Sequence, residues 1–360
     1  MRRLSNAISL LIIIAALLTC IGLIGIYSSS SVFAMERFGS ADFFLKKQLV
    51  GLVLGLLAAL FCAYIPSHMI QKLTPIFYVG SLFLTIATLI PGVGMHIHGS
   101  QRWLRLGFFA FQPSELLKVA TILYGAFLLS KHHLELNTFR KGLLPVLCIT
   151  GITCITLLLQ PDFGQAVAIG STMLIMAFIA GVQMKALAYI ALPTIPMVCM
   201  LVYLKAYRFK RILIFLNPWA DPQGSGFQII QSLIAIGSGG WFGLGIAQSK
   251  QKFFYLPMQH TDFIFSIIAE ETGIVGSLFI VFLYCALLYA GIRVARHAKS
   301  TFAYLVIVGC ITLLSLQAVL NICVVTGLLP TKGIGLPFIS YGKSALIVDW
   351  LMIGLIAGLF

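Results

Sequence analysis

Asp262 is the residue whose position most suggests chemistry. It sits in Leu256-Pro257-Met258-Gln259-His260-Thr261-Asp262-Phe263, where a long connection enters an apolar run. A carboxylate held against an apolar wall loses hydration, and its pKa rises toward useful basicity. The same position also suits a helix start. Thr261 would then be the N-cap and Asp262 would lie in the first turn, where the macrodipole favours negative charge. The two readings move its pKa in opposite directions. His260 stands beside it as a further polar candidate.

Cations gather in the other connections. Gly99-Ser100-Gln101-Arg102-Trp103-Leu104-Arg105 offers guanidinium groups, which bind phosphate oxygens in a bidentate way. Trp103 could stack on a sugar ring or join an interfacial aromatic belt. Pro113-Ser114-Glu115 reads as a helix start. Glu115 could line a site, or pair with Lys118 three residues on. Tyr207-Arg208-Phe209-Lys210-Arg211 could attract an anionic head group or simply snorkel. Residues 326–344 hold two prolines and four glycines, which bar a continuous helix. Irregular backbone at membrane depth must line a cavity or be buried in protein. Lys332 there is a candidate for neutralising an anionic leaving group, with Ser340 as a further polar contact. Pro161-Asp162-Phe163-Gly164 makes a similar broken turn and adds a carboxylate.

Two other readings are weak. His96 and His98 with His260 close no ligand set, so no metal site is expected, although a divalent cation could assist an anionic substrate. The glycines from Gly237 to Gly243 lack the G-x-G-x-x-G spacing and the strand–helix context of a nucleotide site.

What must position these groups is a membrane. The chain has 360 residues, of which 60% are hydrophobic and 9% charged. Its mean hydropathy is +1.02. A soluble domain carries about 25% charged residues, so a soluble enzyme, a disordered chain and a nucleic-acid binder are all excluded, despite a net charge of +14. The eight cysteines lie in apolar runs, which argues for packing rather than disulfides or zinc. Met1-Arg2-Arg3 imitates a signal peptide, but the run behind it is long enough to span and reads as a retained helix.

Ten apolar segments can be drawn, near 8–28, 44–65, 73–91, 113–130, 143–160, 164–181, 186–205, 263–291, 302–326 and 343–360. They are continuous rather than alternating, which selects helices over a barrel. The expected fold is an all-α polytopic bundle of about ten transmembrane helices, forming one domain over residues 1–360. The short connections are densely basic, with Glu135 their only acid. By the positive-inside rule they face the cytoplasm, as do both termini. The long connections then face outward. The largest, about 206–262 between the seventh and eighth spans, is too apolar for a floppy linker and should fold back on the outer leaflet as a short helix or re-entrant piece. The candidate groups therefore share one face. A cationic, aromatic mouth with lipid-facing walls suits an amphiphile with an anionic head, such as a lipid-linked diphosphate sugar.

Several stretches together resemble the SEDS family of peptidoglycan polymerases over essentially the whole chain. They are GSQRWLRLGFFAFQPSE, PDFGQA, NPWADPQGSGFQIIQSLIAIGSGGWFGLG, SKQKFFYLPMQHTDFIFSIIAEE and NICVVTGLLPTKGIGLPFISYG. NPWADP, SKQKFFYLP and TGLLPTKG are most similar to the cell-division branch or its sporulation relative. The resemblance implies an inverting glycosyltransferase of the bacterial inner membrane, at the division septum. It would join lipid II units by β-1,4 linkage with undecaprenyl diphosphate as leaving group. It implies Asp262 as the essential aspartate, with Arg102, Trp103 and Lys332 as motif residues, and a class B transpeptidase with other divisome proteins as partners. Lys343 and Ala345 depart from the family's S-Y-G-G-S-S pattern, Met258-Gln259 from L-P-E-A-H, and Gly335 replaces a common apolar residue. Lys343 is expected to add a cation near Lys332. Two rivals remain. A lipid II flippase would need polar groups at mid-membrane and on both faces. A scaffold that only recruits the transpeptidase would leave Asp262 dispensable.

Overall fold

The computed structural model describes residues 2–97, 100–106, 109–131, 139–189, 192, 196, 206–224, 226–251 and 259–360. Eleven helices are defined among them: α1 (Arg2–Phe38), α2 (Phe43–Tyr64), α3 (Ser67–Ala87), α4 (Pro113–Lys131), α5 (Leu144–Leu159), α6 (Phe163–Ile179), α7 (Ala206–Leu216), α8 (Phe227–Ser238), α9 (Ile264–Ala295), α10 (Thr301–Val325) and α11 (Lys343–Gly358). Helices are what long apolar runs must form in hydrocarbon, where no water can pair a free amide. Six are long and apolar enough to cross a membrane: α1, α2, α3, α9, α10 and the helical stretch Arg140–Leu159. The protein is thus a multi-pass membrane protein.

Nine of the expected apolar runs coincide with described helices to within a few residues, except that α1 runs from Arg2 to Phe38 and α3 starts six residues early, at Ser67. The seventh run, 186–205, lies mostly outside the described residues. Burial explains why α4 scores as less apolar than a span should. It carries Glu115 and Lys118, both buried in protein rather than facing lipid. It packs against α3, α5 and α10, and α10 is itself the most buried of the apolar helices. The core therefore centres on α4 and α10, while only a minority of α2 and α3 is buried along their spans. Wide apolar exposure is the normal state of a lipid-facing helix.

Two features of the connections position the site. The first was not expected. Residues 94–111 form an antiparallel sheet, β1 (Gly94–Ile97), β2 (Ser100–Leu106) and β3 (Phe109–Phe111), in that order. The signal was present as aromatic and branched residues around glycines. The second is the short helix in the large connection and the segment that follows it. α8 packs against α9 and α10, and the chain behind it, 239–245, docks where α9 breaks at Gly273, with φ 69° and ψ −164°. Gly243 and Gly273 approach so closely that a Cβ on Gly273 would lie 2.5 Å from Gly243 N. Only glycine meets both the positive φ and this approach.

Candidate active site

Asp262 lies in the turn just before α9, not in its first turn. The N-cap residue is Phe263, with no side-chain capping bond, so the capping reading of Thr261 and Asp262 is corrected. The reason is that other parts of the chain claim this turn. Asn321 Nδ2 donates to Asp262 O at 2.8 Å and to Ile334 O at 2.7 Å. Ser340 Oγ donates to Thr261 O at 2.7 Å, and Tyr341 N donates to His260 O at 2.9 Å. Two loops that meet only through folding, 259–263 and 331–341, are thereby strapped together.

That strap brings Gly333 against the carboxylate: a Cβ on Gly333 would lie 3.4 Å from Asp262 Oδ2. The neighbouring Lys332 has its Nζ 4.8 Å from the centre of the Phe163 ring, at the start of α6. Arg211, exposed on α7, donates from Nη1 to Thr331 O at 3.0 Å. The loop carrying Lys332 is therefore bounded by α6 on one side and the α7 cation on the other.

Below it lies a second carboxylate. Asp162 caps α6 by accepting from Gln165 N and pairs with Arg102 Nη1 at 3.1 Å. Arg102 also donates from Nε to Gln160 O at 2.8 Å and from Nη2 to Pro161 O at 2.7 Å. Arg102 thus holds the α5–α6 turn and offers little to a diphosphate in this conformation. Trp103 follows it in β2, and successive strand side chains point to opposite faces. Leu104, on the Arg102 face, is buried, and Arg105, on the Trp103 face, is exposed. Trp103 therefore points away from the Asp162 turn.

Three further candidates have close partners of their own. Glu115 is buried and pairs with Lys118 Nζ at 2.7 Å, so the structural alternative describes it. Gln165 links it onward to Gln317, forming a buried polar floor beneath the turn. Ser340 spends its hydroxyl twice, donating to Thr261 O and accepting from Leu336 N at 2.7 Å, which makes it a strut. His260 sits among the rings of Phe33, Phe44 and Tyr341. Burial pushes its pKa down to about 4, so it is a neutral wall at pH 7. The Arg208 side chain, His98 and the Met258 position lie outside the described residues. Lys343 opens α11 and backs onto Gly51 of α2, with Lys47 as a charged neighbour. Asn321 was missed, although it opens one of the quoted motifs.

The electrostatics favour a base. Burial, and to a lesser extent the charge of Asp162, raise Asp262 to about 6 against the opposing pull of Arg102 and Arg211. Burial also raises Asp162, with Arg102 pulling it back. Burial lowers Lys332. Asp162 is already engaged by Arg102 and Gln165, and among the described residues no group of three His, Cys, Asp or Glu side chains converges.

A multi-pass bundle whose broken, charged connections bring together two carboxylates of raised pKa, Asp262 and Asp162, defines a membrane protein with a candidate site at the ends of its spans. The family model described as "Cell cycle protein", covering FtsW, RodA and SpoVE, matches residues 8–359, and the chain belongs to that family. It is 42% identical over 356 residues to the "Probable peptidoglycan glycosyltransferase FtsW" of Geobacter sp. (strain M18), covering 99% of this chain and 97% of that one. It is 42% identical over 347 residues to "Stage V sporulation protein E" of Bacillus subtilis (strain 168), covering 96% and 95%. Among solved structures it is similar to a chain from "Structural coordination of polymerization and crosslinking by a peptidoglycan synthase complex", with TM-score 0.80 and 31% identity, covering 97% and 96%. It is also similar to the Rod shape determining protein RodA of Thermus thermophilus, with TM-score 0.71 and 28% identity, covering 96% and 94%.

Proposed function

We propose that this chain is a peptidoglycan glycosyltransferase that extends glycan strands from lipid II during cell division. One observation carries the reading. Asp262, raised to about 6 by burial, stands beside the glycine that follows Lys332, with Arg211 at the rim. A carboxylate with that pKa is ionised at pH 7 yet basic enough to accept a proton as a nucleophile forms. Asp262 takes the proton from the acceptor's 4-hydroxyl. That oxygen bonds to the donor's anomeric carbon from the face opposite the leaving group. The carbon–oxygen bond to the lipid diphosphate breaks, and its electron pair leaves with the diphosphate, so the anomeric configuration inverts. Lys332 and Arg211 stabilise the charge that develops on the departing phosphate. Arg102 acts from behind, by holding the α5–α6 turn and Asp162.

The ten-span topology belongs to the same reading: both termini in the cytoplasm, the 206–262 connection outside, and residues 1–360 forming one domain in the bacterial inner membrane, at the septum. A class B transpeptidase and other divisome proteins are the proposed partners, supported by the likeness to a chain of a peptidoglycan synthase complex. The test is lipid II polymerisation by the purified protein with its transpeptidase, comparing wild type with Asp262→Asn and Asp262→Ala. Both variants should bind the partner and make no glycan. An active Asp262→Asn enzyme would refute the base.

A further inference from the structure

Two buried carboxylates take no part in the site above. Glu270 and Glu271, on α9, are 1% and 4% exposed. Glu271 Oε1 accepts from Ser28 Oγ of α1 at 2.5 Å and from Ser249 N at 3.4 Å. Glu270 Oε1 accepts from Lys250 N at 3.0 Å, and its Oε2 accepts from Ser249 Oγ. Two adjacent side chains thus tie α9 to α1 and to the connection at 249–250.

They do so where α9 is broken. An unbroken helix would pair Ile274 N with Glu270 O and Val275 N with Glu271 O. Gly273 interrupts both, and the neighbouring segment supplies partners for all four groups. Leu244 N donates to Glu270 O and Gly245 N to Glu271 O, each at 3.0 Å; Ile274 N donates to Gly240 O at 2.9 Å and Val275 N to Trp241 O at 3.2 Å. The fit allows no side chain, since a Cβ on Gly243 would lie 2.1 Å from Glu271 O and one on Gly239 2.2 Å from Ala269 O. The stretch Ile264–Thr272 is therefore a half-helix. Asn321 and Ser232 hold its leading end, through Asp262 O and Ser266 Oγ, and the inserted segment holds its trailing end. Asp262 precedes it by two residues, so any rotation of the half-helix moves the carboxylate.

We infer that Glu270 and Glu271 are positioning residues for Asp262, which lock the half-helix at the Gly273 break through Ser28, Ser249 and Lys250. The lock fixes how deeply Asp262 is sunk beside Asp162, Arg102 and Arg211, the charged groups that act on it. This inference rests on the proposed glycosyltransferase reading for its link to turnover, but the lock itself is independent of that reading.

The experiment uses the full chain with its transpeptidase in lipid nanodiscs, as wild type, Glu271→Ala, Glu271→Gln, Glu270→Ala and Glu270→Gln. Hydrogen exchange over residues 263–272 reads the lock directly, without activity. The alanine variants should exchange there about tenfold faster or more, with the rest of α9 unchanged, and the glutamine variants should stay near wild type because their amide oxygen still accepts. Lipid II polymerisation reads the consequence. In the alanine variants kcat should fall about tenfold with KM within about twofold, and the acid limb of the pH profile should move to lower pH as Asp262 gains water. Unchanged exchange in the alanine variants overturns the lock. Faster exchange with unchanged kcat and pH profile overturns the positioning role. Loss of activity in the glutamine variants as deep as in the alanine variants does the same, since it assigns the carboxylates themselves a function. If an alanine variant does not fold, Ser28→Ala and Ser249→Ala each remove part of the lock, and wild-type exchange in both sinks the inference. Failure of the wild type to polymerise lipid II, with the exchange pattern as expected, removes the functional reading and leaves the lock standing.

Discussion

Asp262 acts as a base only while ionised, and its pKa of about 6 is set first by burial. Turnover should therefore fall as pH drops through about 6, well above the ordinary carboxylate range, and a pH–rate profile for lipid II polymerisation will show where the acid limb lies. His260 is held near 4, so it does not titrate in that window. Asn321 is the other residue on which the geometry turns, because its amide serves both loops at once. Asn321→Ala leaves two carbonyls without their donor and should cost about 1–3 kcal/mol of stability. Asn321→Asp, which faces carbonyls with acceptor oxygens, should cost at least as much by thermal unfolding in detergent. At this scale the sequence was readable where a charge stands against an apolar run, as at Asp262 and Lys332. It was less readable where the partner lies far along the chain. Arg102 looks like an anion ligand until Asp162 and the carbonyl of Gln160 occupy its guanidinium.

Elements were legible in proportion to their apolar length. A run that must pair every amide internally has little choice but helix, so the described helices fall near the drawn segments. The sheet at 94–111 and the break at Gly273 were not foreseen. The hairpin is held by contacts to α3 and to the α5–α6 turn, and a glycine inside an apolar run is compatible with an unbroken helix. Glycine also supplies the test of packing between elements. A Cβ on Gly22 of α1 would lie 2.6 Å from Ile339 Cα and from Phe338 O, in the loop that carries Ser340. Gly22→Ala should therefore destabilise by about 1–3 kcal/mol despite alanine's better helix propensity. Gly80→Ala and Gly151→Ala meet nothing within 4 Å and should gain up to about 1 kcal/mol. Melting temperatures of the three variants, measured side by side, separate packing from propensity.

Across the whole molecule, the site elements gather at one end of the bundle, and the topology decides which compartment they face. In a background without the eight native cysteines, Gln223→Cys should react with a membrane-impermeant maleimide on intact cells, and His68→Cys only after lysis. The reverse pattern would place the site in the cytoplasm and rule out an outward-facing polymerase. The way the bundle is assembled also bears on its manufacture. α4 is polar where lipid would penalise it, because Glu115, Lys118 and Thr121 are covered by protein. Its cover includes α10, which begins about 170 residues after α4 ends. At ~5–20 residues per second of synthesis, α4 waits roughly 10–30 s for that neighbour. During this interval the Glu115–Lys118 pair, three residues apart and able to form within α4 alone, cancels two charges that would otherwise oppose insertion. The ion pair that floors the finished site is thus also a provision for the nascent chain, and it lets a helix with a wet side enter the bilayer before its companions exist.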